Sequence, residues 1–506
     1  MVSKIISAIP IGYSGQIVEV EADQNRGLPG LQIVGMGNKS IEESKERVRS
    51  AISNSGLTFP KQKLIINLAP AELPKDGTHL DLPIALSILA VSKQLSPEEV
   101  SNSLFVGELA LDGELRPVRG IINIIEAAKE HSIKEVYVPT ANYSQARLIS
   151  GIKVWPVKSL RQVFLHLKKI ELIDVKPLTQ REATNSRIDE RYNILDDVYG
   201  QETAKRALTI ATAGRHNILL TGSPGTGKTM LAKTIPNLMP KLSNQEVIDV
   251  TKLHSLSGDN QEEIVQGRPF RSPHHTASQI AIIGGGSNPR PGEISLAHLG
   301  VLFLDELPEY PRSVLEALRQ PLEDRLITVD RLKYRITYPA NFMLIATMNA
   351  CPCGFYGDEK HQCSCTTTQI ISYQKKLSGP LLDRIDLVIN VGRIPSDKML
   401  VKSKTTEQQD SAVCKINNAI KMQSSRFTDG ILYNSDLSTR YIKSKISLSN
   451  EVQQILTSAA SQLNLSPRAY FKTIKVARTI ADMELCNNIQ PKHIAEAIQY
   501  RYKQVQ

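Results

Sequence analysis

A glycine-rich segment at residues 222–229 constrains the fold of this chain more than any other feature. It reads Gly-Ser-Pro-Gly-Thr-Gly-Lys-Thr and satisfies the phosphate-loop pattern G-x-x-x-x-G-K-[S/T] at every fixed position. An apolar run at 218–220 precedes it and helix-compatible residues follow, which predicts a buried strand, a loop and a helix. In that setting, backbone N–H groups and the helix N-terminus can hold phosphate oxygens.

The phosphate loop therefore predicts a site for ATP and Mg²⁺. Lys228 is expected on the β- and γ-phosphates, and Thr229 is expected to bind Mg²⁺. A second apolar run, at 300–304, ends in two acids. Asp305 fits an acid that holds Mg²⁺ through water, and Glu306 fits the base that orients the attacking water, although strands capped by acids also occur as plain structure. The predicted contacts from the loop are Gly222, Ser223, Pro224, Gly225, Thr226, Gly227, Lys228 and Thr229.

Length and charge narrow the class of protein. A chain of 506 residues suggests about three domains. No apolar run reaches the length of about 18 residues that a membrane span needs, and residues 1–6 do not resemble a secretion signal, so we expect a cytoplasmic protein with no membrane partner. The net charge is +10, and residues 398–506 hold 16 Lys and Arg against 8 Asp and Glu. This excess fits a polyanionic partner and fits a solvated helical surface equally well.

Four of the six cysteines fall in one short segment. They form two C-x-C pairs, a set of thiolates that suits tetrahedral Zn²⁺, with His361 as a possible substitute ligand. Disulfides are the main alternative, and a reducing compartment disfavours them. Cys414 and Cys486 are predicted to be isolated and buried. The predicted zinc ligands are Cys351, Cys353, Cys363 and Cys365.

Residues 325–338 read as two strands around a polar turn, which predicts a β-hairpin. Arg331 and Lys333 fall near its tip, where they could contact phosphates of DNA; a solvated turn is the plain alternative. A second insertion contains His274 and His275, followed by three glycines at 284–286. The sequence offers no evident third ligand near the histidines, so a mobile loop along a channel is the favoured interpretation.

The order of these motifs resembles that of the magnesium-chelatase-like AAA+ proteins of the ComM (YifB) family. The resemblance spans nearly the whole chain and implies a homo-hexameric, ATP-driven DNA motor. Its implied role is branch migration during homologous recombination of incoming DNA in natural transformation. The implied partners are single-stranded and branched double-stranded DNA, with recombination proteins as further candidates. The motifs are Lys75-Asp76-Gly77, the phosphate loop, Arg271-Ser272-Pro273-His274-His275, Asp305-Glu306, the double C-x-C and Ser466-Pro467-Arg468.

The same resemblance implies roles for further residues. Asn349, at the end of the apolar run 342–348, resembles the sensor-1 residue; the alternative is a loop asparagine. Arg384 resembles an arginine finger supplied in trans, with an ion pair to Asp383 or Asp386 as the alternative. Arg468 resembles the sensor-2 arginine, with an ordinary salt bridge as the alternative. The segment resembling the adenine-contacting part of AAA+ proteins is Tyr199, Gly200 and Gln201.

The predicted fold class is α/β, in three parts. Residues 1–170 resemble the α+β proteolytic domain of Lon-type enzymes, a ribosomal S5-like fold, but the Ser–Lys dyad is missing: His79 and about Ile122 occupy its positions. Residues 171–191 read as a linker. An AAA+ core with a parallel sheet is predicted at 192–394, with the zinc-binding insertion at 351–365. Residues 395–506 are predicted to form a helical lid.

Two other functions remain open from the sequence. The chelatase resemblance alone would also fit a metal-insertion or chaperone-like remodeller, although no porphyrin site is evident. An ATP-dependent protease is a third possibility, which the missing dyad disfavours because a hydroxyl nucleophile needs an adjacent base.

Overall fold

Three groups of elements make up the fold in the computed structural model. It describes residues 2–35, 39–73, 75, 77–175, 192–258, 263–286, 289–331, 334–358, 361–393, 407–427 and 433–501. The predicted linker is described only to residue 175. None of the described helices has the length and apolar composition needed to cross a bilayer.

The first group is an α+β layer structure, as predicted. Its main sheet has the order β3-β4-β2-β1-β5-β8-β9. The strands are β1 (Val2–Ile11), β2 (Ser14–Asn25), β3 (Gly30–Val34), β4 (Lys63–Ala69), β5 (Ser103–Phe105), β6 (Glu108–Leu109), β7 (Leu115–Arg116), β8 (Glu135–Pro139) and β9 (Lys153–Val157). The helices are α1 (Lys39–Asn54), α2 (Asp81–Val91), α3 (Pro97–Val100), α4 (Ile121–Glu130), α5 (Tyr143–Ala146) and α6 (Leu160–Leu167).

Alternation along β1 explains the two hydrophobic layers of this group. Ile5 and Ile9 face one core with α1 and α2, whereas Ala8 faces a second core with α4. Successive side chains of a strand point to opposite faces, so a strand that is apolar on both faces must be covered on both. The α2 helix, which is apolar except for Asp81 and Ser87, is buried along its whole length.

The second group surrounds a five-stranded sheet of order β11-β14-β17-β10-β18 in which every pairing is parallel. Its elements are α7 (Glu202–Gly214), β10 (Ile218–Thr221), α8 (Lys228–Ala232), α9 (Ile235–Leu238), α10 (Asn244–Ser257), β11 (Phe270–Arg271), α11 (Gln279–Ile283), β12 (Gly284–Gly285), β13 (Arg290–Pro291), α12 (Glu293–Leu296), β14 (Val301–Leu304), α13 (Arg312–Ala317), α14 (Arg319–Asp324), β15 (Leu326–Arg331), β16 (Tyr334–Pro339), β17 (Met343–Met348), α15 (Thr367–Gln374), α16 (Gly379–Leu382) and β18 (Leu387–Asn390). Strands buried on both faces have continuous apolar sequences, which is why the sequence predicts β10, β14 and β17. The predicted hairpin is the antiparallel pair β15–β16.

The third group is helical, as predicted, and comprises α17 (Glu407–Arg426), α18 (Thr439–Lys445), α19 (Asn450–Gln462), α20 (Pro467–Met483) and α21 (Pro491–Gln499). These helices share one hydrophobic core with α7 and one face of the parallel sheet. The opposite face of the sheet packs against α13 and the hairpin.

A buried charged cluster fastens the helical group to the sheet. Asp386, just before β18, accepts a hydrogen bond from the backbone N–H of Asn217 at 3.0 Å. Its carboxylate also pairs with Lys472 of α20 at 2.8 Å and lies 3.6 Å from Nδ1 of His216. Burial works against ionisation, but Lys472 and His216 hold the pKa of Asp386 well below its usual value. The carboxylate therefore stays charged and joins two chain segments.

Replacing Asp386 should destabilise the protein strongly. The Asp386→Ala variant leaves Lys472 buried without its counter-ion, which costs about 3–5 kcal/mol in comparable sites. Equilibrium unfolding in urea measures this loss. The matched control is Asp410→Ala, an exposed acid on α17, which should change the free energy of unfolding by no more than about 0.5 kcal/mol. Equal stability of the two variants would contradict the role given to the cluster.

Candidate nucleotide-binding site

The phosphate loop follows β10 and leads into α8. Gly225 and Gly227 have φ of 77° and 86°, values that favour glycine. At Gly222 (φ 152°), an added Cβ would lie 2.3 Å from the carbonyl oxygen of Val391. Only glycine allows the end of β18 to approach the loop this closely.

Lys228 is held at the mouth of the loop. Its Nζ donates to the carbonyl oxygens of Gly222 and Ser223 at 2.7 and 2.9 Å and to Oδ1 of Asn349 at 3.2 Å. Burial lowers the pKa of Lys228, against the opposing effect of Asp305 and Glu306. The ammonium is thus poorly solvated and suited to donate hydrogen bonds to anionic oxygens, and the structure brings it together with the predicted sensor-1 residue.

The two acids lie beside the loop, at the end of β14. Oγ1 of Thr229 donates to Oδ2 of Asp305 at 3.1 Å, so the two predicted Mg²⁺ ligands are neighbours. Their hard oxygen atoms suit that ion. Glu306 is exposed, with a left-handed backbone (φ 52°) that turns the chain away from the strand.

Thr347 completes this arrangement and was missed by the sequence reasoning. Its Oγ1 donates to Oδ1 of Asp305 and accepts the backbone N–H of Glu306 at 2.9 Å. A single buried hydroxyl therefore orients both acids. The signal was a polar residue within the apolar run of β17.

The predicted adenine segment lies at the same edge of the sheet. Gly200 and Gln201 both have φ of 58°, just before α7, and Tyr199 is 40% exposed. Nε2 of Gln201 donates to the carbonyl oxygen of Gly392 at 2.6 Å. Since Gly392 follows β18, this bond ties the segment to the strand beside the phosphate loop.

Arg384 lies at the opposite edge. The side-chain amide of Asn217, which precedes β10, donates to the carbonyl oxygen of Arg384 at 3.0 Å. The four residues of β10 at about 3.3 Å each separate this edge from the phosphate loop by about 13 Å. Glu323, rather than Asp383 or Asp386, is the acid that binds the Arg384 guanidinium.

Arg468 joins Arg384 through the same acid. It lies in the first turn of α20, and its Nη2 is 3.3 Å from Oε1 of Glu323. Burial opposes ionisation, yet the two arginines lower the pKa of Glu323. The predicted finger and sensor-2 arginines are therefore neighbours, on the side of the sheet opposite the phosphate loop.

The four clustered cysteines are free thiols that could hold a metal ion. Sγ of Cys351 lies 3.3 Å from Sγ of Cys353 and 3.7 Å from Sγ of Cys363. These separations are far from the disulfide length of about 2.05 Å. A hydrogen bond from the backbone N–H of Phe355 helps lower the pKa of Cys353 to about 5, whereas contacts with the other thiols raise the pKa of Cys363 and Cys365.

The expectation for the other two cysteines is wrong. Cys414 is exposed on α17, because this side of the helix faces solvent. Cys486 is partly exposed and is not isolated, since it lies with Glu484 and His493. His493 bonds Glu484 at 3.2 Å and accepts the N–H of Gln490, so both of its ring nitrogens are already used.

The histidine insertion also reaches the carboxyl edge of the sheet. His274 and His275 follow β11 with their rings 4.2 Å apart. The hydroxyl of Tyr310 donates to the carbonyl oxygen of Pro273 at 2.6 Å, which anchors the turn near the acids. Within the described residues, no third potential ligand completes a metal site around the two histidines.

Some predicted positions carry no side-chain description. The backbone of Arg331 ends β15, but its side chain and all of Lys333 lie outside the described residues. The same holds for Asp76. At the Lon-dyad positions, His79 bonds the carbonyl oxygen of Arg119 at 3.1 Å and Ile122 is fully buried in α4.

Three family models match the chain. "Magnesium chelatase, subunit ChlI" matches residues 194–399, "Subunit ChlI of Mg-chelatase" matches 20–142, and "Magnesium chelatase, subunit ChlI C-terminal" matches 406–501. Together they cover the three groups of elements.

Similar proteins extend over almost the full length. An uncharacterized protein YifB of Salmonella typhimurium is 41% identical over 97% of this chain and 95% of its own length. The competence protein ComM of Haemophilus influenzae is 39% identical over 98% and 97%. Lon protease 2 of Bacillus subtilis is 28% identical over 35% of this chain and 34% of its own, in keeping with the partial Lon resemblance.

Removing the Thr347 hydroxyl should impair catalysis more than binding. Thr347→Val keeps the shape but removes a donor to Asp305 and the acceptor for the Glu306 N–H. We expect ATP hydrolysis to slow about tenfold or more, because about 1.4 kcal/mol of lost orientation gives that factor. Steady-state hydrolysis and titration with a fluorescent ATP analogue separate rate from affinity. The control, Thr457→Val at an exposed position of α19, should match the parent; an unaltered rate in Thr347→Val would refute the orienting role.

Proposed function

Because this chain belongs to the ComM (YifB) family of magnesium-chelatase-like AAA+ proteins, we propose that it is an ATP-hydrolysing hexameric ring that moves DNA. Its task is branch migration, which extends the pairing of incoming DNA during natural transformation. The competence role named for the Haemophilus influenzae relative supports this assignment. The DNA substrates are single strands and branched duplexes, recombination proteins are candidate partners, and the cytoplasm is the location.

ATP occupies the phosphate loop in this proposal. Lys228 exchanges the carbonyl oxygens that now hold it for β- and γ-phosphate oxygens. Thr229 and Asp305 hold Mg²⁺, which neutralises charge on the phosphates. Glu306 orients the attacking water, and Asn349, already 3.2 Å from Lys228, positions it against the γ-phosphate.

The position of Arg384 is the main observation that supports a ring of subunits. It lies one strand length from the phosphate loop of its own chain, so it reaches the nucleotide of a neighbouring subunit. A heterologous contact between identical subunits closes a ring when the rotation permits. Nε of Arg384 is buried without a hydrogen-bond partner among the described residues, and phosphate oxygens from a neighbour would supply one. Arg468 lies at the same interface between subunits, since Glu323 pairs with both arginines.

DNA passes along positive residues of the hairpin in this proposal. Arg331 ends β15 and Lys333 precedes β16 in the sequence, and their charge suits phosphate contacts. The net charge of +10 favours the same partner. A protein-remodelling motor is the alternative, and stimulation of hydrolysis by DNA distinguishes the two.

Zinc occupies the four-cysteine site. Tetrahedral coordination at about 2.3 Å per Zn–S bond places sulfur atoms about 3.8 Å apart, close to the observed 3.3–3.7 Å. Backbone N–H groups of Tyr356 and Cys365 donate to sulfur atoms of Cys351 and Cys363, the kind of support that orients metal ligands.

Mixing two inactive variants tests whether the active site lies at the interface between neighbouring subunits. Arg384→Ala and Lys228→Ala should each hydrolyse ATP at least about a hundredfold more slowly, since fingers contribute about 10³-fold or more. In rings assembled from equal amounts of the two variants, about a quarter of the subunit interfaces combine an intact phosphate loop with an intact Arg384. Hydrolysis should reappear in proportion. No recovery in mixed rings, with assembly verified by light scattering, would place both groups in one subunit.

Neutralising the hairpin should weaken DNA binding at every sequence. The double variant Arg331→Ala/Lys333→Ala removes two phosphate contacts, so the slope of log affinity against log salt should fall by about one to two units. Fluorescence anisotropy with labelled single strands measures it at several salt concentrations. Lys415→Ala, an exposed charge on α17, is the control. Identical salt slopes for all three proteins would remove the hairpin from the DNA path.

A further inference from the structure

The cysteine segment touches the phosphate loop directly. Gly354 follows Cys353 and is buried, and a Cβ added there would lie 2.6 Å from Cδ of Pro224. Its φ of 86° belongs to the tight turn closed by the bond from its N–H to the carbonyl oxygen of Cys351 at 3.0 Å. The turn therefore packs closely against Pro224.

A second bridge runs through the end of β18. Asp358, within the cysteine segment, pairs with Nε of Arg393 at 2.9 Å, and its side chain is only 2% exposed. Arg393 lies two residues beyond Val391, whose carbonyl oxygen abuts Gly222. Gly392, between them, accepts the bond from Gln201. The segment thus braces the phosphate side and the predicted adenine side of the same pocket.

The segment cannot hold this position through a core of its own. Among its described residues, Cys351, Gly354 and the side chain of Asp358 are buried, which is no apolar cluster, and these residues form no helix or strand. Short segments without a hydrophobic core depend on a metal or a disulfide for structure. The separations between the free thiols fit the spacing of sulfur atoms around a tetrahedral metal ion.

We propose that a zinc-class ion bound by the four cysteines builds one wall of the ATP pocket, so that metal occupancy sets the affinity for nucleotide. The ion is structural and takes no part in hydrolysis. This inference rests on the proposed function, in that it takes the phosphate loop as the ATP site and the cysteines as the zinc site.

Metal content and nucleotide affinity should be measured together in the full-length chain. Elemental analysis gives zinc per chain, and titration with a fluorescent ATP analogue gives Kd. The parent should carry about one zinc per chain. Cys353→Ser/Cys363→Ser should lose the metal and raise Kd about tenfold or more, because one wall of the pocket is then no longer held in place. The matched cysteine control, Cys414→Ser, should keep both parent values.

A second variant leaves the cysteines intact. Arg393→Met breaks the bridge to Asp358, so zinc should stay bound while Kd rises severalfold. This variant decides the question if the double cysteine variant does not fold, as judged by circular dichroism.

Unchanged Kd in a folded, zinc-free double variant would overturn the inference, as would unchanged Kd in Arg393→Met when the double variant is unfolded. A parent that binds no zinc would overturn it too. Failure of the parent itself to bind the ATP analogue would instead overturn the proposed function.

Discussion

The parallel register of β10 between β17 and β18 is the constraint on which the functional arrangement depends. Asn217, at the start of β10, sets that register from its buried side chain. Its amide donates to the carbonyl oxygen of Arg384 and accepts the N–H of Leu344 at 2.9 Å, and its backbone N–H binds Asp386. Parallel strands present all their carboxyl ends at one edge. The loop, the acids and Asn349 therefore collect there, and the two arginines collect at the other edge.

Because the strands share one direction, the predicted site residues fall into two groups at opposite edges of the sheet. The groups predicted to bind the nucleotide lie at one edge, and the two predicted catalytic arginines lie at the other. Glu323 holds Arg384 and Arg468 together, offsetting the repulsion between two neighbouring cations. In the proposed ring, the nucleotide site would therefore combine groups from two neighbouring chains.

The first group of elements is fastened to this core close to the hairpin. Lys252 of α10 pairs with Glu126 of α4 and lies 4.0 Å from the ring centroid of Tyr13. Gly12, in the turn between β1 and β2, meets Ile336 of β16: an added Cβ would lie 2.4 Å from Cγ2. Since φ of Gly12 is 57°, this close contact depends on glycine. The Lon-like part therefore packs against the middle of the hairpin, and the two positions aligned with the Lon dyad hold a histidine and a buried isoleucine.

The sequence alone determined the elements and the local chemistry. Short-range patterns carried that information: Gly222 to Thr229 is contiguous, Asp305 and Glu306 end a recognisable apolar strand, and the cysteines fall within fifteen residues. The tertiary structure decided which residues meet. Thr347 beneath both acids, Glu323 between two arginines, and Gly354 against Pro224 all join segments far apart in the chain. Their contacts depend on sheet order and packing, which no local pattern records. The prediction that Cys414 is buried was wrong for a related reason: burial on α17 depends on which side of the helix meets the core.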